Sequence, residues 1–224
     1  MTSRFTRAIA SALCLLCLTC GIAQAHPHVW VTATSELVYA PDGTLTSVRH
    51  AWTFDDMFST YALQGIETKT KGVYTREELA PLAQTNVESL KEFGFFTFAR
   101  AGDGGGRKKQ KFEDPVDYYL EHKDGALVLH FTLPLKTPLK TRQLALEIYD
   151  PTYFVAFSFA EGADAATLAG APQGCAATVT RPKTEQPKTA DAGSPGMTEA
   201  FFEALTAAST YGVQFASRVL VACP

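Results

Sequence analysis

From His26 to Tyr39 the chain changes character from one residue to the next and is rich in Val, Thr, Trp and Tyr. A period of two carried by β-branched and aromatic residues predicts a β-strand. Pro41-Asp42-Gly43 reads as a turn and Leu45 to Phe54 as a second strand, which together predict a hairpin. The period then lengthens. Asp55-Asp56 opens a helical run from Met57 to Gly65, with carboxylates in the first turn, where the helix dipole favours them. Thr75 with Glu78 three residues on is a capping-box signature and predicts a helix running to about Phe93. Phe95 to Arg100 reads as a short aromatic strand and Gly102 to Lys111 as a flexible basic loop.

The second half predicts an antiparallel set. Tyr118 to His122, the turn Lys123-Asp124-Gly125, and Ala126 to Leu133 make another hairpin. Leu144 to Tyr149 and Tyr153 to Phe159 add strands on either side of Asp150-Pro151, and Cys175 to Thr180 adds one more. Arg181 to Pro195, rich in Pro, Lys, Thr and Gly, has the composition of a linker. Thr198 to about Tyr211 carries Phe201, Phe202 and Leu205 at helical spacing, and Phe215 to Ala222 alternates again. The expected fold class is α+β: a mostly antiparallel, β-sandwich-like domain with a few helices. Its organisation would be a leader over 1–25, a main domain over 26–180, a linker over 181–197, and a helix and strand over 198–224 that return to the main domain.

The leader is read from three features in order. Arg4 and Arg7 precede an apolar run from Ala8 to Ile22, which ends at Ala23-Gln24-Ala25. A basic start, a hydrophobic stretch and an A-x-A site together read as a secretory signal peptide, which implies an exported protein cleaved after Ala25. Of 224 residues 199 then remain, enough for one domain with a substantial core. Loss of Arg4 and Arg7 from the 20 Lys and Arg leaves 18 against 23 Asp and Glu, a net charge of −5. That balance argues against a nucleic-acid partner, which needs a basic patch. No later stretch has eighteen uninterrupted apolar residues, so no membrane span is expected after cleavage. A lipoprotein anchored through Cys20 is the alternative, and it would keep His26 off the terminus.

Cys14, Cys17 and Cys20 leave with the leader, and two cysteines remain, Cys175 and Cys223. In an exported chain two thiols generally pair. Their wide separation and the lack of a CxxC argue against redox or zinc-thiolate chemistry.

Cleavage would make His26 the first residue of a chain beginning His-Pro-His-Val-Trp-Val. Its α-amine, its imidazole and the imidazole of His28 are three nitrogen donors in one short segment, and deprotonation near neutral pH costs them little. On a strand His26, His28 and Trp30 share one face, while Pro27, Val29 and Val31 take the other. Amine and ring together can chelate one ion in a histidine-brace geometry. The rival amino-terminal X-X-His site requires a deprotonated second amide, and Pro27 has none. Against metal binding stands the plain alternative of a fraying terminus.

His50, on the partner strand, would supply a third imidazole if the register sets it beside His28. Asp55, Asp56 and Asp150 are candidate carboxylate ligands, the first two equally explained by helix N-terminal charge and Asp150 by the turn before Pro151. His122 is expected at the surface and His130 in the core. Nitrogen donors favour copper or nickel, with zinc close behind, and the sequence does not choose among Ni, Co, Zn and Cu.

The segment from Glu67 to Glu78 matches the outline of a calcium loop, with Gly72 at its sharp turn and Glu78 at the bidentate end. Lys69 and Lys71, however, sit where oxygen ligands belong, so calcium binding is not expected. No nucleophile elbow, phosphate loop or HExxH pattern is present.

His26-Pro27-His28-Val29-Trp30-Val31, Trp52 to Phe58, Gly72 with Thr75 to Leu79, Asp150 to Phe154 and the terminal Cys223 give the chain a resemblance. It resembles a bacterial periplasmic family of unknown function labelled an uncharacterised ABC-type transport system periplasmic component. The resemblance covers nearly the whole mature chain. Members are commonly encoded beside, or fused to, nickel/cobalt-type permeases, which implies an accessory role in metal transport with an inner-membrane permease as partner. Relatives tend to carry Asp and Asn in the calcium-like loop, and Lys69 and Lys71 depart from that. The leading expectation is therefore a non-enzymatic periplasmic protein that binds a transition metal for a transporter. The alternatives are a structural or interaction domain without metal and, last, a copper enzyme using a histidine brace.

Overall fold

The first hairpin forms where the alternation places it. The computed structural model describes residues 27–102, 108–182 and 211–224. Strand β1 (Val29–Tyr39) pairs antiparallel with β2 (Leu45–Phe54), with Val31 opposite Phe54 and Ser35 opposite His50. Burial alternates along β1, so Val29, Val31, Ala33 and Leu37 face inward and residues between them face outward. Helix α1 (Asp56–Ala62) follows, and after it α2 (Arg76–Leu90) starts on a complete capping box between Thr75 and Glu78. Helix α2 ends three residues short of Phe93, because Gly94 and Phe95 in the following 3-10 turn take φ of 59° and 56°. That conformation is strained for phenylalanine and cannot continue a helix.

Strand β3 (Thr97–Ala101) comes next, and β4 (Lys108–Lys109) pairs with its end. Part of the expected basic loop is therefore sheet edge, lysine-bearing as edge strands often are. The second hairpin joins β5 (Val116–Lys123) to β6 (Ala126–Leu139) through Asp124-Gly125, whose φ values of 52° and 85° make the two-residue turn that matches strand twist. Then come β7 (Gln143–Ile148), β8 (Val155–Phe159), β9 (Ala166–Ala169), β10 (Ala176–Thr180) and β11 (Ser217–Ala222).

Two sheets result. One runs β5-β6-β2-β1-β8, with β9 also on β1; the other runs β10-β11-β7-β3-β4. Most pairs are antiparallel, but the outer edge of β1 carries two parallel partners in succession: β8 beside Val29 to Ala33 and β9 beside Ser35 to Val38. One hydrophobic cluster draws on both sheets, with Leu37, Trp52 and Leu129 from the first and Leu146, Ile148 and Val219 from the second. Trp52 meets Phe131 and Phe157 edge-on at 4.8 Å. Each such fully buried side chain contributes about 2 kcal/mol, so this shared core holds the sandwich together.

Cys175 and Cys223 form the expected disulfide, with α-carbons 4.1 Å apart at the end of the β10–β11 pair. The expected leader, most of the expected linker and the helix expected from Thr198 fall outside the described residues. Among the described residues no helix is long and apolar enough to cross a membrane.

Candidate functional site at the head of the first strand

Three of the residues singled out from the sequence gather where β1 begins. His28 is exposed, between the buried Pro27 and Val29. Its backbone N–H donates to the Phe154 carbonyl at 2.9 Å, and its ring packs on that of Phe154 with centroids 4.6 Å apart. The strand therefore turns the imidazole outward while a main-chain bond fixes where it starts.

Asp55 reaches the same end from β2. Its Oδ2 accepts the Trp30 N–H at 2.8 Å, its Oδ1 accepts the Phe58 N–H at 2.9 Å, and its own N–H returns to the Trp30 carbonyl at 3.0 Å. It caps α1 and clamps that helix to β1.

Asp150 is buried and arrives from the far side. Its Oδ1 accepts the N–H and the hydroxyl of Thr152, both at 2.8 Å, and its Oδ2 accepts the Val155 N–H at 3.0 Å. These bonds shape a tight turn in which Tyr153 takes a φ of 61°. Such a value costs a bulky residue on the order of 1–2 kcal/mol. Burial of the Tyr153 ring, stacked on Phe215 at 4.2 Å, offsets that cost. Gly212 crosses over this turn so closely that a Cβ there would lie 1.7 Å from the Asp150 carbonyl oxygen.

His50 is not part of this group. The register sets it opposite Ser35, seven residues along β1 from His28 and so about 23 Å away. It is buried in the shared core, where Nδ1 meets the Ser35 hydroxyl at 2.9 Å and Nε2 the Thr97 hydroxyl at 3.4 Å. Burial pushes its pKa down to about 3, so the ring is neutral and links the two sheets. His130 departs from expectation in the opposite sense. Leu129 and Phe131 point inward, and the strand alternation turns His130 to the outer face, half-buried, stacked on Tyr119 and 3.2 Å from Glu121. Desolvation lowers its pKa, and Glu121 offsets part of that.

The calcium-like loop is closed from within. Glu78 Oε1 accepts the Lys69 N–H at 2.8 Å and Oε2 the Thr75 N–H at 2.9 Å. Lys69 thus meets Glu78 through its main chain, and those bonds hold the carboxylate below its usual range.

The exposed imidazole of His28 suits a nitrogen-bound ion. Asp55 and Asp150 each commit both oxygens to protein donors, although every oxygen keeps a second lone pair. Among the described residues no three or more His, Cys, Asp or Glu side chains are grouped to hold an ion, and His26 lies outside those residues.

Residues 11–223 match the family described as "Protein of unknown function (DUF1007)". The chain belongs to that family. It is also 23% identical over 205 residues to an uncharacterized protein of Haemophilus influenzae, with 89% of this chain and 91% of that protein covered. The match runs the length of both chains, so the arrangement around His28 belongs to a segment the family description spans. The sequence reading overlooked Phe154 as the ring against His28 and Tyr153 as the strained, buried centre of the turn. The cluster Asp150-Pro151-Thr152-Tyr153-Phe154 was the available signal.

Proposed function

We propose that the exported, processed chain is a periplasmic protein that binds one transition-metal ion at its new N-terminus and serves an inner-membrane metal permease. The observation that carries this reading is His28. Its imidazole is held outward at the head of β1 by the bond to Phe154, two residues after the histidine that cleavage would make terminal. The amine and ring of His26 with the ring of His28 supply the donors. Pro27 excludes the amide-bound alternative, and its burial anchors the segment. The role as a transporter accessory rests on the family resemblance described above.

A second reading has its own observation. Pro27 and Val29 are buried and both nearby carboxylates are engaged by backbone donors, which suits a strand that docks into the sheet with no metal at all. The two separate on one experiment: N-terminal sequencing of the exported protein together with its metal content. A chain beginning at His26 with about one Ni, Co, Cu or Zn supports the metal reading. A metal-free chain that takes up none on titration supports the docking strand.

A further inference from the structure

A second candidate site lies on the outer face of the β5-β6-β2-β1 sheet, about 20 Å along β1 from His28, and it does not depend on the metal reading. Its origin is topological. Strand β8 leaves the edge of β1 at Ala33 and β9 joins at Ser35, so the chain between them lifts away from the sheet beside Thr34. That excursion carries Asp164, in the turn Ala163–Ala165. On the opposite side, the irregularity between Val116 and Tyr119 gives Asp117 a φ of 51°. Between them is a cavity of about 310 Å³, lined by both aspartates. That volume is at the small end of those that hold small molecules.

The floor follows from the register. Tyr119, His130, Ala51 and Thr34 form one cross-strand row on this face. The two small residues leave a trough beside the His130 ring. The Tyr119 ring, stacked on His130 at 4.5 Å with 12° between planes, has the Arg76 guanidinium 3.6 Å from its centroid on its other face. This wall is already filled on its far side. Arg49 and Glu36, the next row, form an ion pair with each other.

The charge balance selects the ligand. Three carboxylates, Glu36, Asp117 and Asp164, face one guanidinium, which is paired with Glu36. Asp117 and Asp164 take part in no ion pair among the described residues. An anion would be repelled, and the carboxylates are not grouped to hold a metal ion. Asp117 on β5 and Asp164 in the turn before β9 stand about four strand spacings apart, ~19 Å backbone to backbone before the side chains reach inward. One small cation cannot meet both.

We propose that this trough binds a linear polyamine, with one terminal ammonium at Asp117, the other at Asp164, and the alkyl stem across Ala51 and Thr34 against the His130 ring. The test is calorimetric titration of the protein with spermidine, n-butylamine and glucose, repeated on Asp117→Asn and Asp164→Asn. Asparagine tolerates the positive φ at Asp117, so both variants should melt with the wild type. Saturable spermidine binding is expected, at least about tenfold tighter than butylamine. Each Asn variant should weaken it about two- to fivefold, the loss of one exposed ion pair, and added salt should weaken it further. Absence of saturable spermidine binding would overturn the proposal, as would glucose or butylamine binding as tightly, or full affinity in both variants.

Discussion

Trp30 and Asp55, 25 residues apart, are joined by two hydrogen bonds: the Asp55 N–H donates to the Trp30 carbonyl at 3.0 Å, and the Trp30 N–H donates to the Asp55 carboxylate at 2.8 Å. The carboxylate that begins helix α1 is also the one that fixes where β1 can start, so the exposed His28 is held in place two residues upstream. Asp55→Ala should cost about 2 kcal/mol, combining the lost cap with an unpaired Trp30 N–H. Asp55→Asn, which still caps, should cost clearly less. Urea denaturation of both variants decides; equal stability in all three proteins would mean that the clamp is not structural.

His50 makes stability depend on acid. Its folded pKa, about 3, lies below the ordinary value of 6.5. The unfolded chain therefore binds a proton that the folded chain refuses. The contribution is complete above about pH 6.5 and declines as the pH falls toward 3, by a total on the order of 4–5 kcal/mol. His50→Gln, which keeps polar contact with Ser35 and Thr97, should flatten stability against pH across that window. An unchanged slope would show that other groups govern acid unfolding.

The disulfide closes a separation of 48 residues. Chain-entropy reasoning gives about 4 kcal/mol for such a loop. Cys175→Ser with Cys223→Ser should lower the denaturation midpoint accordingly, and reduction of the wild type should reproduce the shift. A change below about 1 kcal/mol would mean that the β10–β11 pairing, not the bridge, secures this end.

Glu78 holds the calcium-like loop through two backbone donors. Glu78→Ala should lower the melting temperature, and calcium should leave that of the wild type unchanged. A rise of several degrees at sub-millimolar calcium would mean that the carboxylate prefers an ion to the Lys69 and Thr75 N–H groups.

Much of the fold is legible in local pattern. The bounds of β2, the Thr75–Glu78 capping box, the Asp124-Gly125 turn and the Cys175–Cys223 bridge each follow from signals within a few residues or from cysteine count. What local pattern does not carry is pairing. Ala166 to Ala169 has no strong strand signal and becomes a strand because the β1 edge accepts it. The partner of His50 depended on a register that alternation alone leaves open, and that register sent it into the core opposite Ser35. His130 was misassigned because three buried residues precede it, which masks the period of two. At the head of β1, Asp55 and Asp150 were legible as turn and cap residues, and those are the bonds they make.

The central claim is an ion held by His26 and His28. The most direct measurement is titration of the processed protein, beginning at His26, with Ni(II), Cu(II) and Zn(II), beside the double variant His26→Ala, His28→Ala. The account predicts about one ion per chain in the wild type, with affinity falling as pH drops through about 6.5 because protons compete for the imidazole nitrogens, and no comparable uptake in the variant. Equal uptake by the two proteins would contradict it.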